Sequence, residues 1–143
     1  MKMEQRVSLI TLGVRDLPRA VAFYEALGWQ KVESPDGIAV FDLIGQSLGL
    51  YPLEKLAEDM GVSPERLGTG AATLACNTRE KDEVAQVIAA ARAAGAEVLR
   101  EAGEVFWGGV VGYFADPEGH VWEVAWNPFS PLSERGEFRW NGY

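Results

Sequence analysis

The sequence predicts an α+β fold made of two βαβββ modules, and three observations predict it. A run of alternating apolar residues opens the chain and has a counterpart near its middle. An amphipathic helical stripe ending on a glycine follows each run. Three short strand-like runs, separated by turn residues, follow each helix. The 143 residues suit a single domain with a core of useful size.

Residues 7–14 (VSLITLGV) alternate: Leu9, Thr11 and Gly13 share one face, and Ile10, Leu12 and Val14 the other. Asp16 is placed to cap a helix whose stripe is Leu17, Ala20, Val21, Tyr24 and Leu27, with Gly28 as its stop. Strands are expected over 29–33, 37–44 and 46–51, with turns at Pro35-Asp36-Gly37 and Ile44-Gly45-Gln46. Residues 52–70 read as a connecting stretch that begins with a short helix. A strand over 71–77 then restarts the order. Thr78 is the expected cap of a helix carrying Val84, Val87, Ile88 and Ala91, which Gly95 ends. Strands over 96–100, 107–115 and 120–126 complete the second module, with a turn at Asp116-Pro117-Glu118-Gly119. The modules thus span about 7–51 and 71–126 of a single domain over 1–143. Residues 127–143 form an aromatic tail.

Net charge is −8, which disfavours nucleic acid and anionic membranes as partners. No apolar run approaches a membrane span, and MKMEQRVSLI lacks the apolar core of a secretory signal. The single cysteine, Cys76, permits no internal disulfide, so a cytoplasmic location is expected. Phosphate-binding glycine loops and nucleophile elbows are missing.

Leu12-Gly13-Val14-Arg15-Asp16-Leu17, with Ala22-Phe23-Tyr24 and Leu27-Gly28-Trp29, resembles the opening of the vicinal oxygen chelate superfamily, which includes glyoxalase I, bleomycin-resistance proteins and extradiol dioxygenases. Phe114-Ala115-Asp116-Pro117-Glu118-Gly119-His120, with Trp122-Glu123-Val124, is similar to its closing hairpin. The resemblance implies that the modules curl into a cupped mixed sheet around a cavity. In metal-bearing members, four inward residues, commonly His, Gln or Glu, hold a divalent ion. The positions that match here are Leu9, Gly49, Ala71 and Glu123, and three of them carry no ligand atom. Shifting the match by one residue brings in Ile10, Leu48 or Leu50, and Ala72, which ligate no better. His120, the only histidine, alternates with Trp122 and Val124, away from Glu123. Neither a metal nor a cofactor is therefore expected.

Glu123 remains as an inward carboxylate, either the anchor of a cationic ligand or a general base, or else a structural group bonded to nearby threonines. Thr11 and Thr73 are repeat equivalents that could orient a ligand, though threonine also simply suits strands. Tyr51, Trp107 and Trp126 complete the expected ligand-binding set, the tryptophans as stacking walls. Trp122 reads as core, Asp42 as an exposed strand carboxylate, and Gly108-Gly109 as a bulge. The functional expectation is a small-molecule-binding protein whose ligand is cationic or aromatic. The alternative is a lyase or isomerase, metal-independent with Glu123 as base, or metal-dependent. The resemblance also implies a homodimer.

Overall fold

The computed structural model describes all 143 residues. Alternation sets the first strand, β1 (Leu9–Val14), and Asp16 ends it by capping α1 (Leu17–Ala26). The Asp16 carboxylate accepts the Arg19 N–H at 3.1 Å, satisfying one of the free donors at the helix start. Gly28, with φ of 98°, takes the left-handed turn that leaves the helix. β2 (Ala39–Asp42) and β3 (Ser47–Pro52) follow, then α2 (Leu53–Met60) and a 3₁₀ turn at Pro64–Arg66. The second module is β4 (Thr73–Asn77), α3 (Glu83–Ala94), β5 (Glu97–Glu104), β6 (Val110–Ala115) and β7 (Val121–Trp126).

The repeat survives in the pairing. One sheet has the order β1-β3-β2 and the other β4-β7-β6-β5. In each, the first strand of the module lies parallel to the last, and the remaining pairs are antiparallel.

Three expectations are corrected. The strand over 29–33 shrinks to a single bridge, Val32 to Val40. Trp29 is drawn inward to stack on Tyr24, with ring centroids 5.2 Å apart. Pro35 then removes a donor, and Ser34 turns the chain by bonding the Ile38 carbonyl. Thr78 does not cap α3: its hydroxyl donates to the Glu80 carbonyl, and the helix starts at Glu83. The strand expected over 96–100 runs on to Glu104, carried by two register irregularities opposite β6.

One face of each sheet is covered by helices, and these covered faces share one core. Phe41, Leu48 and Leu50 come from the first module and Ile88, Phe114 and Val124 from the second. Phe23 meets Phe114 at 6.0 Å, and Trp29 meets Trp122 edge-on at 5.7 Å. Fully burying such a side chain contributes about 1.5–3 kcal/mol.

Polar bonds clasp the modules as well. Tyr24 donates to Asp116 Oδ2 at 2.5 Å and accepts from Trp122 Nε1 at 3.0 Å. Asp116 Oδ1 accepts the Glu118 and His120 N–H groups, both at 2.9 Å. Burial, and then the neighbouring Asp116 carboxylate, push the Tyr24 hydroxyl far above its usual pKa, so it stays a donor. The Glu118 carboxylate, 2% exposed, accepts the Arg15 and Asp16 N–H groups and pairs with Arg19. His120 Nε2 lies 2.8 Å from the Gly13 carbonyl, which can only accept, so that nitrogen carries the proton.

Candidate functional site

Since the helix-covered faces meet in one core, the opposite faces of the two sheets turn away from it. On the first sheet, Thr11, Gly49 and Val40 form a row across β1, β3 and β2. Leu9 sits half-exposed on the same face. Helix α2 closes one end of that face. It comes so near that a Cβ on Gly13 would lie 2.6 Å from Leu53 Cδ1. Tyr51, opposite Gly13, faces this helix, and the neighbouring Asp59 side chain raises its pKa.

On the second sheet, the row through Glu123 is Ala75 (β4), Glu123 (β7), Tyr113 (β6) and Arg100 (β5). Glu123 and Tyr113 are half-buried and Arg100 is exposed. Burial raises the Tyr113 pKa first, the Glu123 carboxylate raises it further, and the Arg100 guanidinium acts in the opposite sense. All three polar heads therefore share one neighbourhood.

A cavity of about 1590 Å³ opens beside this row, where the tail crosses the end of the second sheet. Glu123 and Trp107 line it, with Phe129, Trp140, Arg135 and Asp42, and it reaches the core residues Trp29, Phe41 and Trp122; of the row, Ala75 and Glu123 border it, and Tyr113 and Arg100 lie outside it. The tail is held there by Arg79, which donates to the carbonyls of Ser133 and Glu134 at 2.9 Å each.

The expected site residues are thus only partly gathered. Glu123 and Trp107 share the cavity. Thr11 and Tyr51 lie on the first sheet, apart from it. Thr73 shares the outer face of the second sheet, one row from Glu123, opposite Val121, and does not line the cavity. Trp126 alternates with Trp122 and Val124 and packs against the core instead of the cup face. Tyr113, Arg100 and Phe129 did not emerge from the sequence, and Trp140 emerged only as a residue that docks the tail. Tyr113 could have been counted from the Asp116–Gly119 turn, since a hairpin pairing Ala115 with Val121 necessarily pairs Tyr113 with Glu123.

The metal-ligand positions do not fit a metal. Leu9 and Gly49 offer no donor atom, Ala71 precedes β4, and no group of three or more His, Cys, Asp or Glu side chains is placed to hold an ion.

Comparison with known proteins fixes the class. The family model of the Glyoxalase/Bleomycin resistance protein/Dioxygenase superfamily matches residues 6–124, and the chain belongs to that superfamily. A glyoxalase-related enzyme from Fulvimarina pelagi is 37% identical, with a TM-score of 0.89 over 96% of this chain and 99% of that one. A family enzyme from Burkholderia phytofirmans shares the fold at 22% identity, with a TM-score of 0.76 over 85% of this chain and 98% of that one. A lactoylglutathione lyase of Arabidopsis thaliana is 30% identical over 129 residues, which cover 86% of this chain and 44% of that protein. The chain spans less than half the length of the curated relatives it matches.

Proposed function

We propose that this chain binds a small cationic or aromatic organic molecule against the outer face of its second sheet, without a metal. The observation that carries the reading is Glu123, a half-buried carboxylate at the side of a cavity walled by Trp107, Phe129 and Trp140. A partly desolvated carboxylate attracts a cation more strongly than an exposed one, and aromatic walls add stacking. Titration with benzylamine, followed by tryptophan fluorescence, tests it. Binding should weaken about tenfold in Glu123→Gln, the scale of one lost charge-assisted contact. Unchanged affinity would assign Glu123 a structural role. Dialysed protein should carry no stoichiometric divalent ion, and one tightly held equivalent would overturn the metal-free reading.

A second reading is favoured by the register that sets Glu123 directly across from Tyr113. A carboxylate beside a phenol can remove a proton and return it, as an isomerase or lyase requires. The Arabidopsis relative is named a lactoylglutathione lyase. Turnover lost in Glu123→Gln, with binding retained, would favour this reading.

Both readings include a second copy of the chain. Leu9, Thr73 and Ala75 are exposed on the outward faces, and a cup needs an opposing wall. Sedimentation should give a dimer, and Leu9→Asp should shift it toward monomer.

A further inference from the structure

The Glu123 row holds two opposite charges that do not neutralise each other. The ion pairs of the chain are Arg6–Glu4, Arg19–Glu118 and Arg92–Glu101, and none involves Arg100 or Glu123. Their strands, β5 and β7, are separated by β6, so their backbones stand roughly 9.5 Å apart at the usual strand spacing. Tyr113 occupies the position between them. The register irregularities on either side of Arg100 are what set it opposite Tyr113.

We infer that the row Glu123–Tyr113–Arg100 selects a zwitterionic ligand, its ammonium on Glu123 and its carboxylate on Arg100. This rests on the binding reading above and extends its site from Glu123, at the cavity edge, along the outer sheet face to Tyr113 and Arg100, which lie outside the cavity. A guanidinium presents a planar fork suited to a carboxylate, and a carboxylate suits an ammonium. The strand between them sets a spacing that a flat body can span. Tyr113, kept protonated by burial and by Glu123, adds a hydroxyl donor at the middle of the ligand. A ligand with one charge would leave the other head of the row unpaired, so both charges contribute to selection.

Three probes with one ring test the inference: 4-(aminomethyl)benzoate, benzylamine and 4-methylbenzoate. Binding is followed by calorimetry in wild type, Arg100→Gln and Glu123→Gln. The zwitterion should bind at least tenfold more tightly than either singly charged probe. Arg100→Gln should cut affinity for the zwitterion about tenfold and leave benzylamine unchanged. Glu123→Gln should do the reverse, weakening benzylamine and the zwitterion and sparing 4-methylbenzoate. Equal binding of benzylamine and the zwitterion, with no effect of Arg100→Gln, overturns the zwitterion inference and leaves the binding reading standing. Absence of binding by all three probes overturns both. Arg100 is exposed, so its replacement leaves the fold intact, and an unchanged melting temperature verifies that.

Discussion

Tyr24 shows how much can depend on one hydroxyl. It donates to Asp116 in the second module and accepts from Trp122, all within the shared core. Tyr24→Phe keeps the ring and its contacts with Trp29 and Phe41 but removes both bonds. The Trp122 indole N–H and one Asp116 oxygen are then left without partners where water has little access. Leaving a buried polar group unsatisfied costs about 1–3 kcal/mol. Urea denaturation should therefore show Tyr24→Phe destabilised by about 2 kcal/mol or more. A neutral Tyr24→Phe would mean that the clasp contributes no net stability.

At the scale of elements, Gly112 on β6 governs how closely α3 approaches the second sheet. A Cβ there would lie 2.8 Å from Ile88 Cγ1 and 3.3 Å from the Ala102 backbone nitrogen. Ile88 is 2% exposed and has no room to retreat. Gly112→Ala should destabilise by about 1–3 kcal/mol, as overpacked cores do. The cost should shrink in an Ile88→Val background, which a double-mutant cycle would measure as coupling. Strict additivity would show that the helix shifts freely. The same elements mark what the sequence could tell. Alternation and helical stripes carried α1, α3 and most strands, because burial of one face imposes those periods directly. The strand over 29–33 was misread because Trp29 satisfies a tertiary contact that local propensity does not encode. Glu123 was legible from its motif. Its row partners needed register, which is a property of pairing and not of either strand alone. Trp126 was misassigned because richness in aromatic residues says nothing about which face they occupy; its alternation with Trp122 and Val124 did.

The modules are joined across the whole molecule at Glu118, and this gives the fold an acid limit. Burial of the side chain works against ionisation, but the Arg15 and Asp16 N–H groups and the Arg19 guanidinium outweigh it and hold the pKa below the usual carboxylate value. A carboxylate with a depressed folded-state pKa binds its proton more readily when unfolded. Its contribution to stability is therefore complete above the unfolded pKa and is lost as pH falls through the folded one. Protonation would also weaken the acceptor that holds the residues leading into α1, so the loss is felt in one module through a side chain of the other. Melting temperature should accordingly be flat near neutrality and fall below about pH 4.5, where unfolded glutamates take up protons. Glu118→Gln should melt lower than wild type at pH 7 and lose less on acidification, because its share of the acid dependence is already gone. The two melting curves should converge once the pH has fallen through the depressed folded-state value. If Glu118→Gln instead runs parallel to wild type across that range, the acid sensitivity lies in other carboxylates, and the contact between α1 and the β6–β7 turn holds without this charge.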